Sequence, residues 1–256
     1  MQNNTFSGLI IGQNVITIDR VSSTNDYFKD NLSKFTPQDE GSAILAVEQY
    51  AGKGQRGNMW ITEPGKNIIT SILLYPHFLK IDQQFALSCA ICLGIMKWLK
   101  TKTKEVVQIK WPNDIYVNQK KISGLLIENS IKGDLIGTSI IGIGVNINQT
   151  TFIDNPHITS LKSINDSHED YDIASLANEL YLFLDQEYKR LKQGNQVQQL
   201  QEFNQYLFRK NEIKTYKIAD VEIEGKIIQV LPNGQLQAEI DGEIMTFNLH
   251  EIKYVL

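Results

Sequence analysis

The chain has 256 residues, of which 42% are hydrophobic and 21% are charged, with a formal net charge of −4. This length allows one sizeable core and a small second domain, and the composition argues against wholesale disorder. The negative balance argues against a general nucleic-acid binder, whose affinity depends on neutralising phosphates. The sequence lacks an apolar run of the roughly 18 residues of a membrane span, and residues 1–5 do not resemble a signal peptide, so we expect a cytoplasmic protein without a membrane partner.

The first predicted elements are short strands at residues 9–11 and 15–18, followed by an amphipathic helix. Hydroxyl and carboxylate side chains at residues 22–26 are typical N-caps for that helix. A buried strand at 43–47, a glycine-rich loop at 52–57 and a second strand at 67–75 come next. We then predict a helix over residues 83–100 and a strand at 106–109.

The glycine-rich loop matches the pattern G-x-G-x-x-G of dinucleotide-binding sites, but its context does not. A Rossmann site needs a helix that opens at the third glycine and an acidic residue about 20 positions later. Pro64 and Gly65 break any such helix, and residues 72–75 contain no acid. The loop therefore joins two strands. It either cradles an anion with its backbone N–H groups and two cations, or it is a plain hairpin connection.

Residues 110–114 place a lysine, a tryptophan, a proline, an asparagine and an aspartate in consecutive positions. This mixture of chemically distinct side chains is poor material for a core and indicates a site. A strand pair at 115–117 and 121–128 follows. The next strand, at 139–148, contains two glycines that let a ligand or a second backbone approach closely.

The C-terminal part of the chain changes character. Apolar side chains recur at helical spacing from residue 172 to 192. The glutamine-rich stretch at 193–201 either continues as a helix or forms a connecting segment. Beyond it, strands of period two are separated by turn signals at 232–234 and 241–242. We predict an α+β body with a mixed sheet and packed helices at residues 1–208, and a small all-β barrel at 209–256.

Cys89 and Cys92 form a C-x-x-C pair, which is compatible with redox chemistry or with half of a zinc site. They lie in an apolar helical run with no second Cys/His pair nearby, so we interpret them as small buried thiols. The four histidines show no metal-ligand spacing, and we assign them no role.

Several parts of the sequence, taken together, resemble the biotin protein ligases. They are residues 23–25, Gln49, the glycine loop through Trp60, and segments 110–114, 121–128 and 142–148. The match runs from about residue 21 to 148 in one consistent order. The resemblance implies a class II synthetase-like catalytic domain, and the C-terminal segment is similar to the SH3-like domain that ends many members. The chain begins almost at the catalytic body, so we expect the short form, which lacks a winged helix-turn-helix and does not bind DNA.

The resemblance implies a two-step ligation with ATP and Mg²⁺ as cofactors. The carboxylate of biotin attacks the α-phosphate of MgATP to give biotinyl-5′-AMP and pyrophosphate. The ε-amine of a lysine on a biotin carboxyl carrier protein or domain then attacks the mixed anhydride. A homodimer through an exposed sheet edge is an expectation at the level of the family. The alternatives are a lipoate or octanoate ligase of the same fold and a noncatalytic biotin-binding protein.

The same resemblance assigns site residues along the first half of the chain. The implied catalytic residues are Lys121, Asp114 and Arg56. The nucleotide contacts are Trp60, Lys110, Asn113, Asp114 and Asn146, and Asp114 is the candidate metal ligand. The biotin contacts are Ser23, Thr24, Asn25, Gln49, Gly52, Lys53, Gly54, Gln55, Lys121 and Gly124.

Several of these residues have ordinary explanations beside the functional ones. Ser23 and Thr24 are helix caps in any fold, and Lys121 alone would read as a solvated lysine at a strand start. Asp114 is a general base, a Mg²⁺ ligand or part of an Asn-Asp turn, and the sequence leaves these open. In much of the family an arginine follows the second glycine of the loop, whereas this chain has Gln55 there and Arg56 one place later.

Overall fold

A seven-stranded mixed sheet forms the body of the protein. The structure, a computed structural model, describes residues 8–152 and 155–256, apart from the side chain of Arg56. The strand order is β1-β2-β3-β7-β6-β5-β4, in which β1 pairs in parallel with β2 and the other neighbours pair antiparallel. The strands are β1 (Val15–Val21), β2 (Ala43–Gln49), β3 (Asn67–Leu74), β4 (Val107–Lys110), β5 (Asp114–Val117), β6 (Lys120–Lys132) and β7 (Leu135–Asn146).

Helices cover both faces of this sheet. On one face lie α2 (Gln84–Lys102) and α4 (Ile173–Lys192), which pack on each other and on the strands, with α5 (Gln196–Gln205) beside them. On the other face α1 (Thr24–Asn31) buries Phe28 against Ile44, Leu73 and Ile140. A short helix, α3 (Leu161–Ile164), follows the sheet. Successive side chains of the central strands point alternately to these two helix-covered faces. This is the period-two pattern of a strand that is buried on both faces.

The two cysteines lie on α2 as buried free thiols, 1% and 0% exposed, in agreement with their interpretation from the sequence. Burial raises the pKa of both thiols above the usual range. A neutral, solvent-excluded thiol is a poor nucleophile and a poor metal ligand.

The strand predicted at residues 9–11 does not form. Those residues lie in turns, and the backbone N–H groups of Ile10 and Ile11 donate to the Asp185 carboxylate at 2.6 and 3.0 Å. Asp185 is buried on α4 and pairs with Lys189 at 2.7 Å. The backbone N–H groups of Ile10 and Ile11 therefore bind a side chain that is far away in sequence, and do not pair with a neighbouring strand. The local apolar pattern does not reveal this long-range contact.

The C-terminal residues form a second, five-stranded antiparallel sheet with the order β11-β10-β9-β8-β12. The predicted hairpin turns connect its strands. The division at residues 208 and 209 stays a prediction. In the part of the chain that the structure describes, no helix has the length and apolarity to cross a membrane. The strands are β8 (Ile213–Ile218), β9 (Val221–Val230), β10 (Leu236–Ile240), β11 (Glu243–Phe247) and β12 (Ile252–Tyr254).

Two side chains of the body hold the second sheet in place. Asn204 on α5 donates to the carbonyl of Val230 at 2.9 Å and accepts from its N–H at 2.7 Å. The indole N–H of Trp111 donates to the carbonyl of Gly234 at 2.9 Å. These bonds fix the turn at residues 231–235 against the body, beside the start of α2.

We expect Asn204→Ala to lower the free energy of unfolding by about 2–4 kcal/mol, because it leaves two buried backbone groups of Val230 without partners. Gln205→Ala, an exposed position next along the same helix, is the matched control and should change it by less than about 0.5 kcal/mol. Urea denaturation measures both. Equal stability of the two variants would show that the pair of bonds contributes nothing.

Candidate active site

The glycine loop folds back over the sheet and encloses a cavity of about 60 Å³. A short 3₁₀ turn at Gln55–Gly57 forms its tip, and the N–H of Gly54 donates to the carbonyl of Asn58 at 2.7 Å. The loop joins β2 to β3, as predicted. The cavity is lined by these residues singled out from the sequence: Ser23, Thr24, Asn25, Gln49, Lys53, Gly54, Gln55, Trp60, Asn113, Asp114, Lys121 and Gly124.

Polar side chains at the start of α1 form one end of the cavity. Ser23 caps the helix and accepts from the N–H of Asp26 at 3.4 Å. Gln49 at the end of β2 accepts from the Thr24 N–H at 2.9 Å and from its hydroxyl at 3.2 Å. Capping and cavity lining therefore coexist at these residues.

Ser71 on β3 supports this polar end from beneath the surface of the cavity and was missed from the sequence. Its hydroxyl lies 2.6 Å from both the Thr24 hydroxyl and the Asn25 carbonyl oxygen. The Asn25 amide donates to Glu128 at 2.8 Å, which fixes the orientation of the carboxamide. The sequence does contain a signal, because Thr70 and Ser71 are adjacent polar residues within a strand that is buried along its whole length.

The glycines of β7 admit neighbouring side chains to the cavity wall. A Cβ on Gly144 would lie 2.3–2.6 Å from three atoms of the Trp60 indole, and one on Gly142 would lie 2.6 Å from the Asn25 carbonyl oxygen. The close approach expected for this strand is thus made by the protein itself. The indole N–H of Trp60 is buried and has no hydrogen-bond partner among the residues that the structure describes.

Replacing Gly144 with alanine should push the Trp60 indole off the sheet, because its Cβ would overlap the ring. Since Trp98 and Trp111 are buried, 0% and 3% exposed, Trp60 should dominate any change in tryptophan emission. We expect a red shift and greater quenching by acrylamide. Gly137→Ala, on the same strand with its nearest neighbour at 3.2 Å, is the control. An unchanged spectrum in the Gly144 variant would contradict the packing described.

Lys121 and Asp114 form an ion pair on the opposite wall, with the ammonium 2.7 Å from the carboxylate. Both side chains are half-buried, 26% and 17% exposed. The Lys121 ammonium also lies 5.5 Å from the centre of the Trp60 ring. The backbone of Lys121 is held on both sides, since its N–H donates to the His157 carbonyl at 2.7 Å and its carbonyl accepts from Thr159 at 2.9 Å.

A further ion pair links the glycine loop to α1. The Lys53 ammonium lies 2.6 Å from the carboxylate of Asp26 in the first turn of that helix. The Lys53 side chain is 51% exposed, so this pair contributes little to stability and breaks easily. The cavity thus has a fixed cation on the sheet side, Lys121, and a loosely held cation on the loop side.

The family model described as the biotin/lipoate A/B protein ligase family matches residues 17–146. The chain belongs to that family. It is 33% identical to the bifunctional ligase/repressor BirA of Bacillus spizizenii over 141 residues, which cover 55% of this chain and 42% of that protein. It is 35% identical to the biotin–acetyl-CoA-carboxylase ligase of Paracoccus denitrificans over 130 residues, 50% and 52% of the two chains. The match therefore spans about half the length of these curated relatives.

The solved structure of the biotin protein ligase from Aquifex aeolicus in complex with biotin and ATP has the same fold. Its TM-score is 0.76 at 23% identity, and the superposition covers 94% of this chain and 98% of that one. This likeness confirms the predicted fold class, an α+β body that carries a small C-terminal β domain.

Three residues that the family resemblance placed at the ligands do not line the cavity. The Asn146 carboxamide donates instead to the Thr159 carbonyl at 3.0 Å, and thereby supports the segment that holds Lys121. Gly52 lies under the loop, where a Cβ would lie 2.3 Å from the Trp60 carbonyl oxygen. These two residues support the walls of the cavity from behind.

Lys110 is the third, and it faces the C-terminal sheet. Its ammonium lies 4.7 Å from the ring centre of Tyr254 and 5.4 Å from that of Tyr116. Burial lowers the pKa of Lys110, against the opposing attraction of Asp114, which is its cross-strand neighbour. Arg56, the remaining catalytic candidate, has a side chain outside the described residues, so its role stays a prediction.

Asp114 is suited to help hold Mg²⁺. Within residues 8–152 and 155–256 no group of three or more His, Cys, Asp or Glu side chains is placed to bind a metal ion. Mg²⁺ is often held by one or two carboxylates together with substrate phosphates and waters, so a single carboxylate at the cavity fits such an ion.

Proposed function

We propose that this chain is an ATP-dependent ligase that forms biotinyl-5′-AMP and transfers biotin to a lysine of a biotin carboxyl carrier protein. The observation that carries the proposal is the single cavity in which the polar end at α1, the Lys121–Asp114 pair and the glycine loop meet. The names of the relatives and the biotin and ATP of the Aquifex aeolicus complex support it. The homodimer, the absence of DNA binding and the cytoplasmic location stay predictions from the sequence.

The polar end of the cavity suits the ureido ring of biotin. That ring has one carbonyl acceptor and two N–H donors, and a pocket for it needs a few convergent polar groups in an apolar wall. Thr24 supplies a hydroxyl, and Asn25 and Gln49 supply carboxamides. Hydrogen bonds among these side chains and to Ser71 and Glu128 set their orientations. The apolar wall comes from Ile69, Leu126 and Ile143.

The first step must bring two anions together, the carboxylate of biotin and the polyphosphate of ATP. Lys121 and Lys53 lie on opposite sides of the cavity and neutralise that charge. Charge-assisted hydrogen bonds contribute roughly 1.5–3 kcal/mol each, and phosphoryl chemistry depends mainly on positioning and electrostatic stabilisation. Mg²⁺, held in part by Asp114, would supply the remaining positive charge.

The second step needs a neutral amine. A lysine with the ordinary pKa of about 10.4 must lose a proton, which costs about 4 kcal/mol at neutral pH. Asp114 lies at the cavity wall and accepts from Lys121. In the proposed reaction its carboxylate holds the proton that leaves the acceptor amine.

The glycine loop must open for the substrates to enter. A cavity of about 60 Å³ is far smaller than the roughly 300–1,000 Å³ of small-molecule pockets. Trp60 fills the space over Gly144, and the partly exposed Lys53–Asp26 pair is an ionic contact between the loop and α1. We infer that loop opening breaks this pair and lifts the indole, and that the ligands then replace those contacts.

The decisive experiment incubates the pure protein with biotin, MgATP and a biotin carrier domain, and weighs the carrier by mass spectrometry. We expect the mass of one biotinyl group on the carrier and release of pyrophosphate. Lipoate and octanoate in place of biotin test the related ligases of the same family. Carrier of unchanged mass with biotin would overturn the proposal, and pyrophosphate release would exclude a noncatalytic binding protein.

A further inference from the structure

One carboxylate behind the wall of the cavity has no part in the reaction described above. Glu128 lies on β6, on the same face of the strand as Leu126, which lines the cavity. One oxygen of Glu128 accepts from the Asn25 amide at 2.8 Å, and the other accepts from the Lys29 ammonium at 2.6 Å. Glu128 does not line the cavity itself, but it joins a residue of the cavity to a surface cation.

This carboxylate fixes which end of the Asn25 side chain faces the cavity. A carboxylate can only accept hydrogen bonds, so the NH2 group of Asn25 is the end that faces Glu128. The carbonyl oxygen of Asn25 then lies on the other side, 2.6 Å from the Ser71 hydroxyl. A Cβ on Gly142 would lie 2.6 Å from that oxygen, so glycine leaves the room that it needs. Asn25 is 3% exposed, and bulk water therefore does not compete for either end.

The orientation of Asn25 gives the polar end of the cavity a hydrogen-bond acceptor. A carbonyl oxygen has two lone pairs, and the Ser71 hydroxyl occupies one of them, which leaves the other for a ligand. The NH2 group is used by Glu128 and, more weakly, by the Leu126 carbonyl at 3.5 Å. A ring N–H of a cyclic urea can donate to the free lone pair. An acyl chain without such a donor leaves that lone pair unpaired, which costs free energy in a buried site.

Lys29 determines how an amide in place of the carboxylate would turn. Its ammonium can only donate, so in Glu128→Gln the new amide oxygen pairs with Lys29 and the new NH2 group faces Asn25. Asn25 then has to turn its own oxygen toward that NH2 group. Its NH2 group is left facing the cavity, where it meets the ring N–H of the substrate as donor against donor.

We propose that Glu128 is a positioning residue that holds the Asn25 carbonyl oxygen toward the cavity and so makes the site accept a ring N–H of the substrate. This inference rests on the proposed function, because a ring N–H is present only if the substrate is biotin or another cyclic urea. It assigns the selection of a ureido ring over a plain acyl chain to a carboxylate that does not touch the ligand.

The test compares Glu128→Gln with Glu48→Gln, which changes a carboxylate on β2 that is also 31% exposed and pairs with Arg20. Pyrophosphate release gives kcat and the KM values for biotin and ATP, and calorimetry gives the Kd of biotin alone. We expect Glu128→Gln to raise the KM and the Kd for biotin at least about tenfold, the size of leaving one buried polar group unpaired. The kcat and the KM for ATP should stay within about twofold, as should all four values in the control.

A second substitution separates orientation from packing. Lys29→Met removes the donor that turns the new amide, so in Lys29→Met/Glu128→Gln the amide is free to present its oxygen to Asn25. We expect the double variant to have a KM for biotin at least about threefold below that of Glu128→Gln, a non-additive recovery. Lys29→Met alone should stay within about twofold of the unmodified chain, because Glu128 still accepts from Asn25 and its second oxygen reaches solvent.

Three outcomes would overturn the inference. Unchanged KM and Kd for biotin in Glu128→Gln would show that the carboxylate does not set the orientation of Asn25. A double variant no better than Glu128→Gln would show that the loss comes from packing, and an equal rise in the KM for ATP would show a general distortion of the site. If the unmodified chain binds biotin but releases no pyrophosphate, the proposed reaction fails, and the calorimetric comparison still decides the role of Glu128.

Discussion

Lys121→Ala is expected to lower the rate of biotinyl-AMP formation by a factor of about 10²–10³, the range for removing one preorganised charge-stabilising donor. The ammonium of Lys121 is fixed 2.7 Å from Asp114, and the backbone of the residue is held by His157 and Thr159. It is therefore in place before the substrates bind. The loop-side cation, Lys53, is half-exposed and cannot replace it without losing its own pairing.

Lys120→Ala removes a neighbouring exposed lysine and is the matched control, for which we expect a rate within about twofold of the unmodified chain. Chromatography of the acid-quenched reaction measures biotinyl-AMP directly. Adding synthetic biotinyl-AMP and the carrier to the Lys121 variant separates the two steps. Normal formation of the intermediate by Lys121→Ala would refute the role assigned to this lysine.

Asp114→Asn should lower transfer from biotinyl-AMP to the carrier lysine by at least about 10², the usual contribution of a positioned general base. The substitution keeps the size of the side chain and leaves one oxygen that can accept a hydrogen bond from Lys121. It removes the negative charge. The control is Asp166→Asn, an exposed aspartate outside the cavity. Transfer rates equal to those of the unmodified chain would show that the carboxylate is not used.

The same variant separates the two roles of Asp114. If the carboxylate is the base, transfer by the variant should rise about tenfold per pH unit below the pKa of the acceptor lysine, near 10.4, since hydroxide replaces it. If it is a metal ligand, the larger loss falls on biotinyl-AMP formation, and excess Mg²⁺ restores part of that rate. Measuring both steps against pH and Mg²⁺ concentration assigns the role.

Much of the site could be predicted because its residues are clustered along the chain. Residues 23–25, the glycine loop and residues 110–124 each combine polar or charged groups in a few positions, and the structure brings residues of all three segments to one cavity. The rejection of a Rossmann site also holds, since a strand and not a long helix follows the loop. That conclusion needed only the local effects of Pro64 and Gly65 on the backbone.

Three assigned residues lie outside the lining of the cavity for one physical reason. Lys110, Gly52 and Asn146 lie within or beside those same segments, but their side chains contact other parts of the protein. The direction of a side chain depends on the register of its strand and on what packs against it, and a one-residue shift reverses the face. Ser71 was missed for the converse reason, because its partners on α1 are 46 and 47 residues away.

The sequence by itself determined the fold class, the family and the segments that form the site, because hydrophobic period, turn chemistry and motif order are local properties. The tertiary structure alone decided which side chains share the cavity, how Trp60 closes it over Gly144, and that a larger groove adjoins it between the two sheets. Those features depend on residues from distant segments meeting at distances of a few ångströms, and no single segment carries that information.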